Sequence, residues 1–470
     1  MSDTSGELAS ELARVRAERD ALARRVAAME ASTTWRIGRV VVGTADRARR
    51  LVRRGPRPPA VPAPRLTLPP HRPTDPLVTV VMAVRDMAAT VGGSVASVVA
   101  QTLPYWELVI WDDGSTDPAM SRALEALAGP GIDVHRGRGE GVIAARNHAV
   151  ARARGKYIAI LDGDDAYEPT YLEKAVLFLE REPTVAIVAP WMRATGDLDA
   201  IVELGDLTAP ELARSNRLVV AAVARREVYE RTGGFSPAFA DGNEDWELWA
   251  HAAELGLTAA VLPEPLFRYR VRHDAGRDAA ARRRHAELHG RLLRLHPGLR
   301  FGTPPPAAHF EVSARDVIDR AVCTLPAGRG RPVVVMAARA DEPRVAEVLA
   351  AAVAEQRTAV AVIDGRDPAD PADPHDMVPL LGITPFVYVL AHVLDPSDDL
   401  AFTAQLLRRT VAPIVVDTGS RLVDTARDEL PIESWGGVLL SADGSGDTAP
   451  TPWRDRFAAL DHPGTVPSDR

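Results

Sequence analysis

Between Asp75 and about Arg300 the sequence alternates short apolar runs with stretches of helical character, and this alternation restricts the fold more than any other property of the chain. The runs are "LVTVVMAV" (77–84), "ELVIW" (107–111), "KYIAILD" (156–162), "VAIVAP" (185–190) and "LVVAAVA" (218–224). Val91–Gln101, Ala119–Ala128 and Val142–Ala153 lie between the early ones and read as helices. Strands alternating with helices build βαβ units around a mainly parallel sheet. Such sheets take ligands beyond the carboxyl ends of their strands. The pattern assigns residues 76–300 to one α/β domain.

A second alternation starts near Arg331. "PVVVMAA", "TAVAVID", "PFVYVLAHV", "APIVVDTG" and "GGVLLSADG" read as strands, with Arg344–Glu355 and Leu400–Thr410 as helices. Residues 331–445 are thus expected to form a second, smaller α/β domain of unknown role, joined by a linker over 301–330. Its first turn, "AARADEPR", has no glycine, which speaks against a dinucleotide-binding fingerprint. The polar stretch 446–470 reads as a loose tail.

The N-terminal region has a different character. Leu8, Leu12, Val15, Leu22, Val26 and Met29 keep a heptad spacing broken at Arg19, so residues 1–34 read as a coiled-coil helix. It offers a homo-oligomer contact through residues 8–29; an amphipathic helix packed on its own domain is the alternative. Residues 35–75 form a basic and proline-rich linker. Ten arginines and one acid, Asp46, fall between Arg36 and Arg72, interleaved with Trp35, Ile37, Val40, Val41 and Leu51. That mixture suits either a helix lying on anionic lipid or a solvated linker. The N-terminal sequence has no signal-peptide core, and no stretch reaches the roughly 18–20 apolar residues of a membrane span. Together with a single cysteine, Cys323, this points to the cytoplasm, with a peripheral place at the inner face of the membrane open. The formal net charge of −8 argues against nucleic acid as a partner.

Two acidic clusters follow strands: "WDDGSTD" (111–117) and "LDGDD" (161–165). Carboxylates crowded into one crevice need a counter-charge. A hard divalent ion with oxygen ligands supplies it, and residues i and i+2 of an extended segment, such as Asp162 and Asp164, point to one side. Pairing with arginine is the other solution, and a plain surface turn would use the same residue types. Arg146 and Asn147 lie on the helix before the second cluster, where an arginine can meet a diphosphate or a neighbouring aspartate. Farther on, "GGFSPAFADGNEDWELW" places Glu244 and Asp245 in the first turn of a helix. The helix dipole favours the ionised form there, the state a general base requires. Adjacent helical residues face about 100° apart, so one of the two points at a reacting centre.

Taken in order, "MAVRD", "SVASVVAQTLPYWELVIWDDGSTD", "AARNHAV", "GKYIAILDGDD", "YERTGGF", "NEDWELW" and "YRVRHD" resemble the family 2 glycosyltransferases over residues 77–274. The resemblance implies the GT-A fold, a Rossmann-type mixed sheet. It also implies an inverting enzyme that moves a sugar from a nucleoside-diphosphate sugar, a UDP-sugar foremost, to a hydroxyl of a glycan or lipid-linked glycan acceptor in cell-surface polysaccharide or glycoconjugate synthesis. Val84, Arg85, Asp112, Asp113, Arg146, Asp162, Gly163 and Glu244 would then surround the nucleotide sugar. Asp162 and Asp164, with Asp165 beside them, would hold Mn²⁺ or Mg²⁺, and Asp245 would be the catalytic base. His273 is a candidate third metal ligand, with a surface histidine as the alternative. Arg85 and Asp86 stand where the family has tyrosine and asparagine, so the stacking ring is missing. A nucleotide-sugar-binding scaffold without catalysis is the competing reading.

Overall fold

The computed structural model describes residues 74–461, apart from 197, 206, 272–283, 302–305, 313–316, 319–324, 367–372, 411–412, 419, 421–422, 424–436 and 442–452. The expected coiled coil, nearly all of the basic linker and His273 lie outside the described residues.

The first sheet has nine strands: β1 (Val78–Val84), β2 (Trp106–Asp112), β3 (Ile132–Arg136), β4 (Tyr157–Ile160), β5 (Ala166–Tyr167), β6 (Val185–Gly196), β7 (Ala200–Val202), β8 (Val223–Arg225) and β9 (Thr258–Val271). Their order is β3-β2-β1-β4-β8-β6-β9-β5, with β7 paired to β6. The β3-β2-β1-β4 half is parallel, and β8 enters antiparallel to both β4 and β6. From β1 the chain moves to β2 on one side and later to β4 on the other. That reversal opens a crevice at the carboxyl ends of β1, β2 and β4, where both acidic clusters emerge.

Period-two geometry explains why β1 is apolar at nearly every position. Val78, Val80, Met82 and Val84 face one core, shared with helices α1 (Val91–Val99) and α4 (Tyr171–Arg181). Val81 and Ala83 face another, shared with α3 (Val142–Val150). Helix α2 (Pro118–Leu127) is capped by Asp117, which accepts from Ala119 N, with proline at its first position.

The second sheet is parallel throughout: β10 (Val333–Ala337), β11 (Ala359–Ile363), β12 (Val387–Val389), β13 (Ile414–Asp417) and β14 (Val438–Ser441), in the order β12-β11-β10-β13-β14. One face packs on the helix Pro343–Ala354. From the other face, Val334, Met336, Val360, Val362 and Tyr388 join the same apolar cluster as Val80, Met82, Tyr171 and Val176 of the first sheet. A buried polar knot reinforces that union. Lys174 on α4 pairs with Glu264 and donates to the carbonyl of Val387 at 2.5 Å. Tyr388 donates to Glu173 at 2.9 Å.

Three expectations are corrected. Only the last two residues of "LVVAAVA" fall in a strand, Val223–Arg225, because the run's earlier residues turn in to cover the core rather than pair. "PFVYVLAHV" is a three-residue strand followed by the short helix Leu390–Val393. The stretch read as a loose tail contains the helix Trp453–Leu460. Its Trp453, Phe457 and Leu460 are buried against the second sheet, an apolar spacing that outweighs the polar residues around it.

Candidate active site

Helix α3 carries the residue that organises the crevice. Arg146 is almost fully buried, and its two terminal nitrogens reach in different directions. Nη2 donates to Asp162 Oδ1 at 2.6 Å and Nη1 to Glu244 Oε1 at 2.7 Å. Its guanidinium also lies 5.4 Å from the centre of the Phe235 ring. Burial works against the charged guanidinium, yet Asp162 and Glu244 outweigh it and hold its pKa above the usual arginine range. The neighbouring Asn147 braces the glycine loop that carries Phe235. It donates to Phe235 O and accepts from Phe235 N, both at 2.8 Å. Gly234 sits at φ +82°, and a Cβ there would fall 2.6 Å from Asn147 Oδ1, so this position admits only glycine.

Glu244 and Asp245 open helix α5 (Glu244–Glu254), which Asn243 enters in the left-handed conformation. The adjacent carboxylates diverge. Glu244 is spent on Arg146, whereas Asp245 Oδ1 accepts from Asn216 Nδ2 at 3.2 Å and from Trp246 N at 2.8 Å. Burial, and then the charge of Glu244, push the Asp245 carboxyl up to about 6, against the pull of Asn216, the Trp246 amide and Arg146. Low exposure and a like-charged neighbour thus act against the pull of the helix dipole. A carboxylate poised near 6 is better matched to taking a proton near neutral pH than one near 4.

The remaining candidates divide between backbone bracing and the open crevice. Asp112 accepts from Ser115 N at 2.9 Å, with Arg136 Nε 3.6 Å away. Asp113 accepts from Gly141 N at 3.0 Å through Oδ2, and Arg85 Nη1 lies 3.8 Å from the same oxygen. Asp86, at φ 51°, accepts from the amides of Thr116 and Asp117 at 2.8 and 2.9 Å, tying the end of β1 to the loop after β2. Those two amides hold its carboxyl below the usual range. Asp165 is buried and accepts from Arg270 N at 2.8 Å, while Asp162 and Asp164 are partly exposed. Gly163 between them lies against β1, where a Cβ would be 2.8 Å from Val84 Cγ1 and 2.9 Å from Met87 Sδ.

Among the described residues, Asp162, Asp164 and Asp165 are not gathered into a preformed three-ligand cluster. Their chemistry still fits a hard cation. Mg²⁺ and Mn²⁺ are commonly held by one or two carboxylates together with substrate phosphates. Asp162 meets Arg146 through Oδ1. Sequence reasoning missed Asn216, a lone amide in "RSNR" with no motif to mark it.

The mixed sheet, the acid-lined strand ends and the helix that opens on an acidic pair are the features expected of the GT-A fold. The family model "Glycosyl transferase family 2" matches residues 79–235. The Bacillus subtilis protein named "Putative glycosyltransferase EpsE" is 30% identical over 212 residues, spanning 43% of this chain and 75% of that protein. An Escherichia coli protein, the UDP-Glc:alpha-D-GlcNAc-diphosphoundecaprenol beta-1,3-glucosyltransferase WfaP, is 27% identical over 186 residues, spanning 39% of this chain and 72% of its own. Among solved structures, Staphylococcus aureus TarS 1–349 with UDP-GlcNAc is similar at a TM-score of 0.41 and 15% identity, over 52% of this chain and 70% of that one. The chain belongs to glycosyltransferase family 2. No described helix is long and apolar enough to cross a membrane.

Proposed function

We propose that the protein transfers a glycosyl residue from a nucleoside-diphosphate sugar to a hydroxyl of a glycan or lipid-linked glycan, with inversion at the anomeric carbon, during cell-surface polysaccharide synthesis. The observation that carries this reading is the double grip of Arg146. It brings the strand-end acid Asp162 and the helix-start acid Glu244 to one guanidinium, and so sets Asp245 beside the crevice at the carboxyl ends of β1 and β4.

In this reading the donor's nucleoside lies over Val84, Arg85, Asp112 and Asp113, and its diphosphate runs past Gly163 toward Asp162 and Asp164. A divalent ion held by Asp162 and Asp164 would offset the charge that grows on the leaving diphosphate. Arg146 neutralises Asp162 and Glu244 and fixes their directions, so its part is positioning. Asp245 accepts the acceptor's hydroxyl proton as that oxygen bonds to the anomeric carbon. The bond from that carbon to the diphosphate oxygen breaks, and the nucleoside diphosphate departs with the electron pair. Holding donor and acceptor in one crevice converts a bimolecular encounter into an oriented reaction. The names of the relatives support a UDP-sugar donor and a lipid-diphosphate acceptor, and the basic segment 35–75 supports a peripheral place on an anionic membrane.

Hydrolysis of UDP-, GDP- and dTDP-sugars with Mn²⁺ or Mg²⁺ tests the reading. Turnover of one donor class, stimulated by the ion and lost in Asp245→Asn, is the expected result. Absence of turnover with every donor favours the scaffold alternative.

A further inference from the structure

A second cluster of ligand atoms lies on α5, away from the acid crevice. Glu247 and His251 are one turn apart on its opposite side, and His296 follows the helix α6 (His285–Leu295). One ligand atom from each of the three lies within 4.8 Å of the others. The His251 and His296 rings are 4.8 Å apart between centres. His296 Nε2 sits 3.0 Å from Glu247 Oε1, and its Nδ1 sits 2.8 Å from Glu254 Oε2. Glu254 is itself fixed by the amide of Gly298 at 2.7 Å. The group lines a pocket of about 390 Å³ whose far wall is the Gly233–Phe235 loop.

We infer that Glu247, His251 and His296 form a binding site for a zinc-type divalent cation, separate from the proposed nucleotide-sugar ion. Two features beyond clustering point to a ligand. Glu247 is only 4% exposed, yet its second carboxylate oxygen, Oε2, is buried without a hydrogen-bond partner. Such an atom is costly to bury unless something meets it. Glu254 occupies the outer position that a carboxylate takes behind a metal-bound imidazole, meeting Nδ1, while Nε2, which meets Glu247 Oε1, is the nitrogen that would turn to the cation. Two imidazoles and one carboxylate suit zinc better than magnesium, whose preference is for oxygen alone. The pocket leaves room for a water to complete the coordination. Binding would replace the contact of His296 Nε2 with Glu247 and tie the helix that begins at Glu244 to the segment after α6.

The test counts metal on the full-length protein. The chain is stripped with chelator, loaded with zinc, desalted and assayed for metal by mass spectrometry. One zinc per chain is expected in the wild type and in the double variant Asp162→Asn, Asp164→Asn. Less than a tenth of an equivalent is expected in His251→Ala and in Glu247→Gln. Zinc should also raise the melting temperature of the wild type and leave that of His251→Ala unchanged, a readout that holds whether or not glycosyl transfer is observed. No retained zinc in the wild type would overturn the inference. So would equal retention in folded His251→Ala, or loss of the metal in the Asp162, Asp164 double variant.

Discussion

Asp162 and Glu244, far apart in the sequence, are held by the two terminal nitrogens of a single guanidinium, that of Arg146. This relationship sets the geometry of the crevice, because it fixes a strand-end acid against the helix that begins with Glu244 and Asp245.

Replacing Arg146 should therefore harm folding as well as activity. Arg146→Met leaves two acids without their partner, and breaking a buried pair in this way costs about 3–5 kcal/mol. Arg146→Lys keeps the charge but reaches only one of them, so a partial loss is expected. Chemical denaturation of both variants measures the cost; a melt unchanged in Arg146→Met would contradict it.

Asp245→Asn should lower kcat by about 10²–10⁴, the usual contribution of a positioned base. In the wild type the carboxyl is raised to about 6. The reactive form is the carboxylate, so kcat/KM should climb with pH through that region and flatten above it. An acid limb near 4 would show that burial and Glu244 do not act on it as described. Asn216→Ala removes a contact that favours the carboxylate, so it should move the limb upward.

Gly163→Ala tests the close approach of the loop to β1. A methyl group there meets Val84 and Met87, and relieving it shifts Asp162 and Asp164. The expected result is a raised KM for the donor with a smaller change in melting temperature.

Lys174 and Glu264 are both fully buried, so removing the lysine leaves Glu264 facing His392 Nδ1 at 3.3 Å without its main counter-charge. Lys174→Met should destabilise by about 3–5 kcal/mol, while Lys174→Met with Glu264→Leu should recover most of that loss. Thermal melts of the single and double variants distinguish the two.

Much of the fold can be read directly from the chain. The apolar runs that became β1, β2 and β4 are buried on both faces, so composition alone marks them. The acids after them follow from the same βαβ logic. Three things are hidden for physical reasons. "LVVAAVA" packs without pairing along most of its length, and hydrophobicity does not distinguish packing from pairing. The partner of Arg146 depends on tertiary direction: diphosphate and aspartate offer an arginine the same chemistry, and only packing chose two carboxylates. The helix Trp453–Leu460 was masked by the prolines and acids around it, although its three apolar residues fall on one face. Asn216 meets Asp245, and His296 meets Glu247 and His251, only through the fold, since each comes from a distant part of the sequence.

The apolar cluster that runs from Val80 and Met82 into Val334, Met336 and Tyr388 limits how this gene can be cut. Trimming it to the region that matches its relatives would leave one side of the catalytic half wet and greasy, with Lys174 and Glu264 opened to solvent. Such a fragment should aggregate on expression, and swapping catalytic halves between relatives should succeed only when each brings its own carboxy-terminal companion.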